Sequence, residues 1–179
     1  VAAADENLMN STRSTDFITP KSRVSRTFRN AVLSLAKDHA FGRALVNSGR
    51  LSVPAFLTAS SLNTPDLAQD TFAGRMLPGA PMDDAPVLEN GEQGWLLNKV
   101  GGEFSVLYFA DDPAALDATT VATLSGLSRG DIAVQTLVVS RKPGTVDGGI
   151  RTLEDPRGIA AQRYDAKPGT VYLLRPDQH

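Results

Sequence analysis

The spacing of apolar positions divides the chain into three regimes. In the first, Val24, Phe28, Val32, Leu35 and Ala36 recur at helical spacing while Arg23, Arg26, Arg29, Lys37 and Asp38 fill the other faces. That pattern predicts a helix from about Lys21 to Lys37. Thr19-Pro20 reads as its start, an N-cap residue followed by Pro at the first helical position. A shorter helix is predicted from His39 to Val46, ended by Asn47-Ser48-Gly49. Residues 1–15 are polar with a weak helical character and read as the end of a helix whose body lies upstream.

In the second regime, Leu51 to Pro86, no period stands out, and Pro54, Pro65, Pro78, Pro81 and Pro86 forbid long regular elements. So long an irregular stretch reads as a connector lying over a neighbouring domain.

The third regime is strand and helix. Gly94-Trp95-Leu96-Leu97-Asn98 reads as a short helix or turn. Phe104 to Phe109 is an almost continuous apolar run between Gly101-Gly102 and Asp111-Asp112-Pro113, the pattern of a central strand buried on both faces. Pro113 to Leu127 has helical spacing, Ile132 to Val139 is a second apolar strand, and Val171 to Leu174 a third. Thr145 to Ile159 is turn-rich, with a short helix expected near Leu153. Strand, helix, strand over residues 104–139 is a βαβ unit with parallel strands. The expected fold class is therefore α/β: a thioredoxin-like domain with a parallel βαβ core plus a further strand, preceded by a helical extension and an irregular connector.

Composition narrows the chemistry. The chain has no cysteine and only two histidines, His39 and His179. Thiol chemistry, disulfides, zinc–cysteine and histidine-rich metal sites are excluded. A thioredoxin-like domain ordinarily acts through Cys-x-x-Cys at the helix that follows its first central strand; here that position reads Asp111-Asp112-Pro113-Ala114-Ala115. A net charge of −2 gives no general attraction to nucleic acid or anionic lipid, and neither is expected as a partner. No run approaches the roughly 18–20 apolar residues of a membrane span, and the N-terminus lacks the basic n-region of a signal peptide. A cytoplasmic protein is expected. Asp83-Asp84 and Asp111-Asp112 read as turn residues or caps, and His39 as a junction histidine. No Gly-x-Gly-x-x-Gly turn or P-loop occurs.

Two segments carry a family resemblance. Tyr172-Leu173-Leu174-Arg175-Pro176-Asp177-Gln178, entered through Lys167-Pro168-Gly169-Thr170, and Asn10 to Ser22 together resemble the C-terminal third of an FAD-dependent aromatic-ring monooxygenase of the phenol and 3-(3-hydroxyphenyl)propionate hydroxylase type. The resemblance implies a helical extension and connector (1–70) from the substrate and FAD domain. It also implies a cysteine-less thioredoxin-like domain (71–179), truncated before its last strand and helix. FAD and NAD(P)H are implied for the parent enzyme and no cofactor for this part, whose role would be domain packing and dimer contacts. The implied partners are the upstream catalytic domain and a second copy of the chain. No catalytic, cofactor-binding or metal-binding residue is assigned. The interface candidates are Phe17, Arg23 and Arg26 in the helical segment, Trp95, and Val171 and Leu173 on the last strand. Phe56 and Phe72 are further apolar anchors. The competing readings are a free-standing thioredoxin-like protein-binding module, with a groove beside Lys167-Pro168-Gly169, and a small enzyme with an unrecognised site.

Overall fold

The computed structural model describes residues 2–46, 56–61, 63, 74 and 76–179. Contacts group the chain into two units, Val1–Ala55 and Phe56–His179. The boundary expected near residue 70 lies outside the described residues, as does Phe72.

The first unit is helical: α1 (Ala2–Ile18), α2 (Arg23–Asp38) and α3 (Ala40–Val46). The start of α2 differs from expectation. Thr19 closes α1 instead of opening α2: its N–H and its hydroxyl both donate to the Thr15 carbonyl, at 2.8 and 2.7 Å. The N-cap of α2 is Ser22, whose Oγ accepts from the Ser25 N–H at 3.0 Å, the bond that a cap side chain supplies to a free first-turn donor. His39 ends α2 in extended backbone, and its ring stacks on Phe41 with centroids 5.6 Å apart. Gly42 is required for the close approach of α3, since a Cβ there would lie 2.7 Å from the Ala36 nitrogen. Of the apolar stripe on α2 only Val32 is buried; Val24 and Phe28 remain 80% and 63% exposed.

The second unit is built on a six-stranded sheet. Its strands are β1 (Pro86–Glu89), β2 (Glu92–Trp95), β3 (Phe104–Ala110), β4 (Val134–Ser140), β5 (Arg151–Glu154) and β6 (Val171–Leu174), in the order β2-β1-β5-β4-β3-β6. The apolar run after Gly101-Gly102 becomes β3, paired parallel to β4 and antiparallel to β6. The helix α4 (Ala118–Leu127) connects β3 to β4, so the expected βαβ core is present. The strand β5 adds parallel to β4, and β1 and β2 form an antiparallel hairpin at the far edge. A parallel core flanked by a strand running the other way is a thioredoxin-like α/β fold.

Three strands were not anticipated. The segment around Leu153 is β5, not a short helix; the helix α5 (Ile159–Arg163) follows it. The short helix or turn expected at Gly94–Asn98 is present as a 3-10 turn at Leu96–Lys99, but Gly94 and Trp95 before it belong to β2. Pro86, expected to end the irregular connector, begins β1. The hairpin has a local cause: Asn90 and Gly91 sit at φ 53° and 81°, the two left-handed residues of a type I′ turn whose twist matches that of the strands.

Two apolar layers cover the sheet. On one face Leu107, Phe109, Leu137, Val139, Leu153 and Leu174 pack beneath Ala160 and Tyr164 of the α5 region. Met76, Met82 and Ala85 join this layer. The last part of the connector therefore lies over the unit's own core, a correction to its reading as cover for a neighbour. On the other face Val106, Ala110 and Val138 pack against Leu124 and Val121 of α4. Leu107, Leu137 and Leu153 are fully buried, and each contributes roughly 1.5–3 kcal/mol by burial.

Candidate functional site

The corner after β3, Asp111-Asp112-Pro113-Ala114-Ala115, is closed by charge. Asp112 caps the turn Pro113–Ala115, its Oδ1 accepting from the Ala114 N–H at 3.0 Å. Lys142 Nζ lies 3.0 Å from the other carboxylate oxygen, and the Lys142 N–H donates to the Asp111 carbonyl. The hydrogen bond from Lys142, then that from Ala114, holds the Asp112 carboxyl below the usual carboxylate range. With no sulfur and a carboxylate already engaged, this corner braces the β3 and β4 ends. Asp84 is likewise a cap: its Oδ1 accepts from Leu97 N–H at 3.0 Å, at the start of the turn after β2.

The candidate residues fall at three separate places. Phe17 is half-buried on α1, and Arg23 and Arg26 are exposed on α2. Arg29 instead turns inward within this unit, donating to the Ile18 carbonyl at 3.0 Å. Val171 and Leu173 lie on β6 at one edge of the sheet, 53% and 64% exposed. Trp95 lies on β2 at the opposite edge, 51% exposed, so its ring is not core packing. Phe56 is 41% exposed.

The β6 edge has two unlike faces. Tyr172 and Leu174 point to the α5 side. There Phe109, Tyr164 and Tyr172 form a ring cluster with centroids 5.2–6.2 Å apart. The Tyr172 hydroxyl donates to the Tyr164 carbonyl at 2.6 Å, and the Tyr164 hydroxyl to the Asp83 carbonyl at 2.8 Å. Burial, with the nearby Asp165 carboxylate, pushes the Tyr172 hydroxyl up to about 12. Val171 and Leu173 point to the α4 side, opposite Tyr108 and Val106 of β3. Among the described residues nothing pairs with the outer backbone edge of β6.

The Arg175–Gln178 turn that follows is a clasp. Gln178 Nε2 donates to the Leu97 and Val100 carbonyls at 2.8 and 2.7 Å, and the Gln178 carbonyl accepts from Met82 N–H. Gly101 makes room for it: a Cβ there would lie 3.1 Å from the Gln178 amide nitrogen. His179 and Arg175 sit beside Asp177 in the same turn.

The sequence reading missed the groove beside Trp95. Pro86 and Leu88 on β1, Gln93 and Trp95 on β2, and Pro156 and Arg157 after β5 line a groove of about 600 Å³. Asn90-Gly91 was the available signal for its hairpin; Pro156-Arg157 carried none. Among the described residues no group of acidic or histidine side chains could hold a metal ion, and no helix is long and apolar enough to cross a membrane.

No protein-family model and no curated protein matches the chain. Several solved structures are similar to it. The flavin-dependent monooxygenase PieE, solved with FAD and substrate, is 22% identical with a TM-score of 0.49, over 92% of this chain and 27% of that one. Aklavinone-11 hydroxylase, solved with FAD and aklavinone, is 24% identical with a TM-score of 0.41, over 56% of this chain and 16% of that one. The peroxidoxin BcpB from Mycobacterium tuberculosis is 16% identical with a TM-score of 0.43, over 55% of this chain and 78% of that one. The chain thus spans about a quarter or less of the two flavin enzymes.

Proposed function

We propose that this chain is the C-terminal part of a cytoplasmic, FAD-dependent aromatic-ring hydroxylase, and that its own role is structural. In this reading the upstream part of the same protein binds FAD, takes NAD(P)H and oxygen, and hydroxylates a phenolic ring. The helical unit packs on that catalytic part through Phe17, Arg23 and Arg26, and the sheet unit joins two copies of the enzyme. The observation that carries the reading is a pairing. The segments Asn10–Ser22 and Tyr172–Gln178 resemble that family, and the thiol position of the fold holds Asp111-Asp112-Pro113-Ala114-Ala115. Val171 and Leu173 support the dimer contact, as exposed apolar residues beside an open strand edge.

Two measurements test it. Titration of the chain with FAD should give no saturable flavin quenching or heat. One-to-one binding in the micromolar range, about −8 kcal/mol, would refute the non-catalytic assignment. Sedimentation across a dilution series should show a dimer, and Val171→Glu with Leu173→Glu should return it to monomer. A monomer at every concentration removes the dimer contact from the proposal.

A further inference from the structure

The face of the sheet that carries α4 is only half covered. α4 and the loop residues Val146 and Ile150 pack on β3 and β4, while the α5 layer lies on the opposite face. Val87 and Leu153 point into that α5 layer, so alternation turns Pro86, Leu88 and Glu154 to the α4 side. Register sets Trp95 beside Pro86 and Gln93 beside Leu88 on one flank of β1, and Glu154 beside Leu88 on the other. Pro156 and Arg157 follow on the β5 flank and close the groove of about 600 Å³. Its floor is therefore β1, and its two walls are β2 and β5. The Trp95 indole stands half-exposed on one wall. On the other, Glu154 is half-buried and Arg157 exposed, and neither charged group has a hydrogen-bond or ion-pair partner among the described residues.

A segment lying on this face meets side chains only. β1 runs between β2 and β5, and its N–H and C=O groups point sideways into those neighbours rather than up from the face. The occupant must satisfy its own backbone, which a helix does and an extended peptide does not. From β2 to β5 is two strand spacings, roughly 10 Å, about the diameter of one helix. Pro86, Leu88, Trp95 and Pro156 offer apolar contact to the stripe of an amphipathic helix. The two unpaired charges fix the rest. Glu154 and Arg157 lie at most roughly 10 Å apart along the chain, which is about four to seven residues of helix. We propose that the groove over β1 binds an amphipathic α-helix of a partner protein. The helix runs along β1 with its apolar stripe on Leu88, Pro86 and Trp95. It sets an Asp or Glu against Arg157 and a Lys or Arg, one or two turns away, against Glu154. A small aromatic acid would leave Glu154 unpaired.

The only tryptophan of the chain is the reporter. A library of helical peptides without tryptophan is selected on the intact chain, and the most enriched peptide is titrated while Trp95 emission is followed. The enriched peptides should carry an acid and a base about four or seven positions apart, on the flank of an apolar stripe. Binding should be saturable and shift Trp95 emission to the blue. Arg157→Glu should weaken it about tenfold or more, and a Lys in place of the peptide's acid should restore it. Glu154→Lys should weaken it likewise, and a Glu in place of the peptide's base should restore it; each rescue also shows that the variant is folded. A proline in the middle of the peptide should abolish saturable binding, since it breaks the helix. No enriched peptide, unchanged Trp95 emission, undiminished affinity in either charge variant, or full binding of the proline peptide overturns the proposal. So does benzoate binding as tightly as the peptide, or a Trp95 shift driven by protein concentration alone, which would assign the groove to a small acid or to a second copy.

Discussion

Gln178 is the residue on which the fold of the last turn can be weighed. It sits at φ 64°, a left-handed backbone that costs a non-glycine residue about 1–2 kcal/mol. Its side chain returns two hydrogen bonds, to Leu97 and Val100, each about 1 kcal/mol net. Gln178→Ala keeps the backbone cost and loses both bonds, so it should destabilise by about 2 kcal/mol. Gln178→Gly loses the same bonds but relieves the backbone. Set against the greater freedom of glycine when unfolded, that relief should leave it about 0.5–1 kcal/mol more stable than the alanine variant. Urea melts with unchanged slope measure both differences. In heat melts the alanine variant should fall by roughly 6–12 °C, at about 3–6 °C per kcal/mol for a unit of this size. Equal stability of wild type and alanine variant would mean that water satisfies the two carbonyls. A glycine variant less stable than the alanine variant would refute the left-handed backbone.

Leu107 is fully buried between paired strands, and Leu107→Ala should cost about 2–5 kcal/mol through its cavity, measured by the same melts; a cost under about 1 kcal/mol would place the strand at an edge. Burial pushes the Glu89 carboxyl up, but hydrogen bonds from Lys99 and Arg151 outweigh it and hold it below its ordinary 4.5. Its contribution to stability is therefore present above pH 4.5 and lost as pH falls through the lower folded value, and Glu89→Gln should flatten that part of a stability–pH curve. Tyr172 behaves in the opposite sense: with its hydroxyl raised from 10.0 to about 12, the stability it adds is complete below pH 10 and lost as pH rises towards 12. Tyr172→Phe should make this alkaline limb shallower in melts between pH 9 and 12, the remaining slope coming from Tyr164, whose hydroxyl burial also raises.

Pattern alone placed the elements whose side chains decide their environment. The β3 run is apolar because both of its faces are covered. The α2 stripe is legible because its period is helical, although most of it stays exposed. β5 was invisible for the opposite reason. Arg151-Thr152-Leu153-Glu154 has one apolar residue, and it is a strand because β4 and β1 pair on either side of it. Tertiary pairing outweighs local preference there. Thr19-Pro20 misled because the same hydroxyl that can open a helix can also close the one before it. The exposed candidates Trp95, Val171 and Leu173 were named as residues, but only the sheet order could show that they occupy opposite edges.

The opposite edges set a rule for assembly. Five strand spacings separate β2 from β6, roughly 24 Å at about 4.8 Å each. A β6 edge meeting the same edge of a second copy forms a two-fold contact, uses itself up, and stops at two. A β6 edge meeting a β2 edge leaves one of each free, so every addition exposes the site for the next and the sheet grows as an open filament. Covering the β2 edge would remove that second route and leave the β6 edge its two-fold contact alone.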